Sequence, residues 1–264
     1  MKKGNAVRIA FFDSGIGGLS VLEEALSRRQ EAEFLYYADT DHVPYGQKSR
    51  AALIDYAGSA VSFLLAAGAD AVVVACNTAT AAAIDFLREQ FAAPIFGMEP
   101  AVKPALAETA GRRVLVLATP LTLREQKLHH LLDAVDPAHC ADLLPLPGLV
   151  AFAERREFDG PAVQDYLQQA LAPFTLANYG AVVLGCTHFN YFKDSLAALL
   201  PAGIQFVDGC RGTINHVFHT LGLSAGDAGV GTVHYFQSGR AVTDPVQLDD
   251  YHILLARLSW LRHL

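Results

Sequence analysis

The sequence Ala-Val-Val-Val-Ala-Cys-Asn-Thr occupies residues 71–78, and Ala-Val-Val-Leu-Gly-Cys-Thr-His occupies residues 181–188. Each stretch is a short apolar run that follows a helical segment and a glycine-containing turn, and each run ends in a cysteine. Such runs are typical of strands buried on both faces, as in parallel sheets covered by helices. The recurrence predicts two similar α/β domains that face each other, each presenting one thiol, Cys76 or Cys186.

The rest of the chain continues this alternation of strands and helices. Further strands are predicted at residues 7–12, 34–38, 95–97, 114–118 and 205–207. Helices are predicted at residues 18–27, 49–67, 79–91, 122–135, 160–171 and 192–200. Strands that alternate with helices predict an α/β fold with parallel sheets.

The domain limits are predicted from where the chain crosses between the two halves. A crossing at residues 99–101 and a return near residues 210–213 give a discontinuous first domain, residues 1–100 plus 212–264, which carries Cys76. The second domain, residues 101–211, carries Cys186.

Composition excludes several classes of protein. The 264 residues carry a net charge of −7, 52% are hydrophobic and 18% are charged. Without clustered Lys and Arg, nucleic acid is not expected as a partner. The apolar stretch at residues 61–84 contains Gly68, Asp70 and Asn77, which argues against a membrane span, and residues 9–12 are too short for a signal sequence. We therefore expect a cytoplasmic protein.

Both strand-end cysteines occupy positions where chemistry is expected. In open α/β sheets, ligands bind beyond the carboxyl ends of the strands. A helix N-terminus lowers a thiol pKa from about 8.5 toward neutrality, so Cys76 and Cys186 could act as bases near pH 7. The alternative is that both are small buried hydrophobic residues that close their strands; Cys140 and Cys210 are interpreted in that way.

Polar residues and glycines flank the same strand ends. Asp-Ser-Gly-Ile-Gly-Gly follows the first predicted strand at residues 13–18, and its glycines would let the backbone approach a ligand. This loop lacks the lysine of a phosphate-binding loop. Pro-Tyr-Gly follows the second strand at residues 44–46.

Two opposed thiols suit one kind of reaction. Inverting an α-carbon requires one group to remove the proton from one face and a second group to deliver a proton to the other. The developing carbanion must also be stabilised by preorganised hydrogen-bond donors. No lysine lies in a context that suggests a Schiff base, so the sequence requires no electron-sink cofactor.

Four motifs resemble those of the glutamate racemases, in the aspartate/glutamate racemase superfamily. They are Phe-Asp-Ser-Gly-Ile-Gly-Gly-Leu-Ser-Val at residues 12–21, Pro-Tyr-Gly at 44–46, Ala-Cys-Asn-Thr-Ala at 75–79 and Leu-Gly-Cys-Thr-His-Phe at 184–189. They occur in the family's order and spacing, and the resemblance covers nearly the whole chain. The histidine two residues after Cys186 favours the glutamate branch over the aspartate branch.

This resemblance implies roles for individual residues. Cys76 would deprotonate D-glutamate and Cys186 would deprotonate L-glutamate, with no cofactor and no metal. Asp13 would assist Cys76, while His188 and Glu154 would assist Cys186; the alternative for Glu154 is a solvated helix residue. The residues expected to contact the substrate are Asp13, Ser14, Tyr45, Gly46, Asn77, Thr78, Thr119, Thr187 and His188.

The resemblance also implies a fold and a biological role. The two α/β domains would be related by a pseudo-twofold axis, with the active site in the cleft between them. The product, D-glutamate, would supply peptidoglycan synthesis. The chain departs from the family pattern at residues 190–192 and 208–211, which leaves the preferred amino acid open.

Several alternatives stay open at this point. A related two-thiol racemase could act on aspartate or another substrate, and a regulatory protein could bind an amino acid without turning it over. A thiol redox protein is disfavoured because Cys76 and Cys186 lie far apart in sequence with no resolving neighbour. The pair Cys186 and His188 lacks the further ligands of a zinc site. Trp260, in the apolar C-terminal run, serves either packing or a homodimer interface.

Overall fold

The computed structural model describes residues 7–28, 32–109, 111–223 and 231–264. The strands in these ranges are β1 Val7–Asp13, β2 Ala32–Ala38, β3 Ala71–Val74, β4 Ile95–Gly97, β5 Arg113–Ala118, β6 Ala141–Pro145, β7 Tyr179–Leu184, β8 Gln205–Asp208, β9 Val233–Gln237 and β10 Arg240–Ala241. The α-helices are α1 Leu19–Leu26, α2 Arg50–Ala66, α3 Asn77–Gln90, α4 Val102–Glu108, α5 Pro120–Arg124, α6 Gln126–Val135, α7 Pro147–Glu154, α8 Pro161–Leu171, α9 Lys193–Ala197, α10 Cys210–Leu221 and α11 Pro245–Leu261. Short 3-10 helices lie at Tyr45–Gln47, Leu176–Asn178 and Thr187–Phe192.

The strands form two sheets, and both are parallel apart from one edge. The first has the order β10-β9-β2-β1-β3-β4, in which only β10 runs antiparallel to its neighbour. The second has the order β6-β5-β7-β8 and is parallel throughout. The predicted α/β fold with two parallel sheets is confirmed.

Four consecutive strands of the first sheet follow the same order as the four strands of the second. In the first sheet the order is β2-β1-β3-β4, and in the second the corresponding strands are β6-β5-β7-β8. Strands β3 and β7, which carry the repeated apolar runs, therefore occupy equivalent positions, and both are buried along their whole length. The internal repeat in the sequence thus corresponds to a repeat of topology, and Cys76 and Cys186 follow equivalent strands.

Hydrophobic side chains join the two sheets through one shared core. Phe11 and Val73 of the first sheet belong to the same buried cluster as Leu117, Val182 and Leu184 of the second. Full burial of each such side chain contributes about 1.5–3 kcal/mol. The remaining face of each sheet has its own cluster, so each sheet is covered on both sides, as parallel sheets require.

The domain limits predicted from sequence, residues 1–100 plus 212–264 and residues 101–211, stay a proposal. Sheet membership is compatible with them, because β1 to β4, β9 and β10 lie in one sheet and β5 to β8 in the other. Helix α11 contacts α1 as well as the 3-10 helix Thr187–Phe192. The C-terminal helix therefore packs against elements that lie on both sides of the predicted boundary.

Two details of the helices bear on the sequence predictions. The helix predicted at residues 122–135 is divided, because Glu125 between α5 and α6 is extended. In the C-terminal run, Leu254 and Leu258 are buried whereas Trp260 is 58% exposed. No helix in the described part of the chain has the length and apolar character needed to cross a membrane.

Candidate active site

Cys76 lies two residues after the end of β3 and forms the N-cap of α3. The thiol is buried, and its Sγ accepts a hydrogen bond from the Ala79 N–H at 3.4 Å. The Oγ of Ser14, from the loop after β1, lies 3.8 Å away. Cys76 thus takes the place of the Ser, Thr, Asp or Asn that usually caps a helix.

Burial decides the protonation state of this thiol. It raises the pKa of Cys76 well above its usual range, and the charges of Asp13 and Cys186 raise it further, against the opposing effect of the Ala79 N–H. The sequence predicts a pKa lowered by the helix N-terminus, but loss of hydration disfavours the charged form more strongly. Cys76 is therefore a neutral thiol near pH 7.

Cys186 lies two residues after the end of β7 and is as buried as Cys76, but its surroundings differ. Its Sγ lies 3.9 Å from His188 Nδ1. The other ring nitrogen of His188, Nε2, is 2.7 Å from Glu154 Oε1. Glu154 reaches His188 from the end of α7, so thiol, imidazole and carboxylate form a chain that we call the Cys186 relay.

The Cys186 relay favours a charged imidazole. Burial alone would lower the pKa of His188, but the hydrogen bonds to Cys186 and Glu154 raise it well above its usual range. Burial would conversely raise the pKa of Glu154, but the hydrogen bond and the charge of His188 lower it. An imidazolium between the thiol and the carboxylate is the arrangement that stabilises a thiolate.

Asp13 joins the ends of the two central strands. Its Oδ1 accepts from the Gly15 N–H at 3.0 Å, and its Oδ2 accepts from the Thr187 hydroxyl at 2.9 Å. The side chain is fully buried, and burial raises its pKa although the nearby His188 opposes this rise. One carboxylate therefore bonds the loop beside Cys76 to the residue that follows Cys186.

Gly15 and Gly17 allow this loop to approach the second sheet. A Cβ on Gly15 would come within 3.0 Å of Glu154 Oε1, and a Cβ on Gly17 would come within 3.0 Å of His188 Nδ1 and Thr187 Oγ1. Real Cβ atoms do not approach that closely. The sequence predicts that these glycines make room for a ligand, whereas the structure places side chains of the Cys186 relay against them.

Three threonine hydroxyls lie together on the Cys76 side of the site. Thr78 Oγ1 is 3.0 Å from Thr119 Oγ1 and 3.3 Å from Thr122 Oγ1, and Thr119 and Thr122 are 3.0 Å apart. Thr119 caps α5 by accepting from the Thr122 N–H. The cluster joins Thr78, in the helix after β3 of the first sheet, to Thr119, which follows β5 of the second sheet; both are predicted site residues.

Asn77 presents an oxygen without a partner. Its Nδ2 donates to the Met98 carbonyl at 3.1 Å, whereas its buried Oδ1 accepts no hydrogen bond from any described residue. Buried polar atoms are nearly always paired. An unpaired acceptor beside Cys76 is therefore available to a donor such as an ammonium group.

Comparison with known proteins identifies the family. The Asp/Glu/Hydantoin racemase family model matches residues 20–217, well over half of the 264 residues. The chain belongs to the Asp/Glu/hydantoin racemase family. Within that family it is 49% identical over 260 residues to glutamate racemase from Campylobacter curvus (strain 525.92), with 96% of this chain and 98% of that protein covered.

Solved structures of family members have the same fold. A crystal structure of glutamate racemase from Campylobacter jejuni subsp. jejuni superposes with a TM-score of 0.81 at 26% identity, covering 98% of this chain and 99% of that one. Escherichia coli glutamate racemase in complex with L-glutamate and the activator UDP-MurNAc-Ala superposes with a TM-score of 0.78 at 29% identity, covering 93% and 95%.

One residue of this racemase-family site was missed from sequence. Asp39, directly after β2, accepts from the Tyr45 hydroxyl at 2.6 Å and from Ser238 Oγ at 2.9 Å, and it lies 2.8 Å from His42 Nδ1. The Tyr45 phenol therefore donates its hydrogen bond to Asp39, and the neighbouring Gly46 lies against Thr119. Asp39 follows the carboxyl end of a buried strand, the same signal that selected Cys76, and could have been found by it.

The remaining candidates fall into two groups. Asp13, Ser14, Thr187, His188 and Glu154 are linked to each other or to a thiol by the contacts described above. Cys140 and Cys210 lie outside them, and Cys210 Sγ is 3.6 Å from Ser20 Oγ. Among the described residues of this family member, no group of three or more His, Cys, Asp or Glu side chains is arranged to hold a metal ion.

Proposed function

We propose that this chain interconverts L- and D-glutamate by a cofactor-independent, two-base mechanism with Cys76 and Cys186 as the bases. The observation that carries the proposal is the placement of the two buried thiols after equivalent strands of two sheets, each with its own proton-handling neighbours. Glutamate as substrate is supported by relatives named glutamate racemase, including one 49% identical.

The two thiols begin a turnover in opposite protonation states. Burial keeps Cys76 neutral, and we assign the thiolate to Cys186, whose Sγ lies 3.9 Å from His188 Nδ1. The Cys186 thiolate removes the α-proton of L-glutamate, and Cys76 delivers its proton to the opposite face to give D-glutamate. The reverse reaction begins from the Cys76 thiolate and neutral Cys186. Each direction thus consumes one thiolate and leaves the other.

Polar groups at the strand ends hold the substrate and stabilise the developing carbanion. The unpaired Asn77 Oδ1 and the Asp13 carboxylate accept from the α-ammonium group. Hydroxyls and N–H groups around the thiols stabilise the charge that develops on the substrate carboxylate. Fixed hydrogen-bond donors contribute most to catalysis at such a position. The residues assigned to substrate contact are Asp13, Ser14, Tyr45, Gly46, Asn77, Thr78, Thr119, Thr187 and His188.

The biological setting follows from the product. D-glutamate serves peptidoglycan synthesis, so we place the enzyme in the cytoplasm, where that amino acid is consumed. Its partner is then a small amino acid, which agrees with the net charge of −7 and the absence of a basic cluster in the sequence.

We also propose that the enzyme forms a homodimer through α11. Val246, Ile253 and Trp260 recur at seven-residue intervals and are 74%, 67% and 58% exposed. A twofold axis at Ile253 brings Val246 of one copy against Trp260 of the other. Sedimentation velocity should show a dimer that Ile253→Glu converts to a monomer; a monomeric wild type contradicts this interface.

A hydrogen-exchange experiment tests the proposed reaction. The purified chain is incubated with L-glutamate in D2O without added pyridoxal phosphate, while circular dichroism and α-deuteration are followed. We expect the circular dichroism signal to decay to zero while one deuterium is incorporated at the α-carbon. Turnover of aspartate but not glutamate would revise the substrate, and neither inversion nor exchange with either amino acid would refute the proposal.

A further inference from the structure

Arg156 links the end of α7 to the C-terminal helix. It lies two residues after Glu154, and its φ of 63° is a left-handed conformation that non-glycine residues rarely adopt unless their surroundings fix it. Its Nη1 donates to the Glu154 carbonyl at 3.0 Å, satisfying an oxygen left free at the helix end. Its Nη2 donates to Asp250 Oδ2 of α11 at 2.6 Å.

Helix α11 is also bonded to the segment that carries His188. Arg257 Nη2 donates to the Tyr191 carbonyl at 2.9 Å, three residues after His188 in the same 3-10 helix. The Tyr191 hydroxyl donates to the Ile16 carbonyl at 3.1 Å, and the Ile16 N–H donates to Glu154 Oε1 at 2.9 Å. One helix therefore bonds to the Arg156 side chain on the Glu154 side of the Glu154–His188 contact and to the Tyr191 carbonyl on the His188 side.

We propose that Arg156 and Asp250 are a positioning pair that holds Glu154 against His188 and so maintains the Cys186 relay. Neither residue reaches a thiol; both act through Glu154. The guanidinium fixes the turn after α7 at the Glu154 carbonyl, and Asp250 fixes the guanidinium to α11. The inference rests on the proposed two-thiol racemisation, in which Cys186 needs an imidazolium beside it.

The exposure of the pair argues that its main effect is on geometry. The side chains of Arg156 and Asp250 are 36% and 41% exposed, and ion pairs at such sites contribute little to stability. Arg156 nevertheless forms a fork of charge-assisted bonds, which fixes orientation as well as distance. Loss of Asp250 should therefore leave the fold intact and loosen Glu154.

The test is Asp250→Asn in the enzyme of 264 residues. We expect kcat to fall about five- to tenfold in both directions, while KM changes less than about twofold. This fall in kcat is smaller than the roughly 10²-fold cost of a 1 Å misplacement. The alkaline limb of the kcat/KM profile should move to lower pH, because a loosened Glu154 supports the His188 imidazolium less. Cys186, Glu154 and Asp13 are the charged or titratable groups that face His188.

Neighbouring residues supply matched controls. Asp249→Asn makes the same charge change one residue away in α11, where Asp249 faces His252. Arg155→Gln removes the guanidinium of the residue before Arg156; Arg155 pairs with Glu157 and not with Asp250. Both should keep the wild-type kcat and pH profile, and Asp250→Glu should restore most of the activity. Melting temperatures are measured for every variant.

The outcomes separate this inference from the proposed function. An inactive wild type contradicts the racemisation itself. If the wild type is active but Asp250→Asn has the wild-type kcat, the positioning pair alone is overturned. The same holds if Asp249→Asn lowers kcat as much as Asp250→Asn does. A loss of kcat that disappears when Asp250→Asn is assayed well below its melting temperature would also overturn it, since the pair would then be only structural.

Discussion

Serine in place of either thiol, Cys76→Ser or Cys186→Ser, is expected to lower racemisation of both enantiomers by about 10³-fold, within the range that acid–base groups contribute. A serine hydroxyl is far less acidic than a thiol, so it neither ionises near pH 7 nor delivers a proton readily. Every turnover uses both groups, and the enantiomers are equally stable. The loss in kcat/KM must therefore be equal in the two directions, as circular dichroism with either enantiomer would show.

The other two cysteines provide the control. Cys140 is half-buried and Cys210 is buried against Ser20, and neither has a contact with a described residue of the site. Cys140→Ser and Cys210→Ser should therefore keep near-wild-type turnover. A Cys76→Ser or Cys186→Ser variant with wild-type turnover would exclude that thiol as a base.

The central strands could be predicted from sequence because they are buried on both faces. Continuous apolar runs mark β1, β3, β5 and β7, and the structure has strands at each of them. The strands β6, β9 and β10 were missed, because they lie at or next to a sheet edge and are only partly buried. Half-exposed strands have no uninterrupted apolar pattern, and β6 also ends in proline.

The contacts that join the site could not be predicted in the same way. Ile16 and Glu154 are 138 residues apart, and Asp13 and Thr187 are 174 residues apart. Residue type and strand position selected Asp13 and Thr187 as candidates, but nothing local indicates that they bond to each other. Glu154 was selected only through the family resemblance, since a glutamate at a helix end is usually solvated.

The state of Cys76 shows a similar limit. Its position places it at a helix N-terminus, as the sequence predicts, and the Ala79 N–H donates to its Sγ there. The depth of burial around it depends on the packing of both sheets, and burial has the larger effect on the pKa. The local sequence indicates the helix N-terminus that lowers the pKa of Cys76. The loss of hydration that raises this pKa can be seen only in the folded structure.

Gly17→Ala is expected to lower kcat by about 10²-fold, the cost of a misplacement near 1 Å. The new Cβ would occupy space held by His188 Nδ1 and Thr187 Oγ1. Both side chains are buried on one short helix and cannot simply rotate away. The helix must retreat from the loop after β1, which stretches the bond between Thr187 and Asp13 and separates His188 from Cys186.

The matched substitution is Gly212→Ala, in the first turn of α10, where no atom lies within 4 Å of the new Cβ. It should leave kcat unchanged and raise stability by up to about 1 kcal/mol, because glycine loses more backbone freedom than alanine on folding. Gly17→Ala should instead destabilise by about 1–3 kcal/mol through overpacking. Equal kcat for the two variants would contradict the close approach of this loop to His188, and with it the dependence of the Cys186 relay on a glycine of the loop after β1.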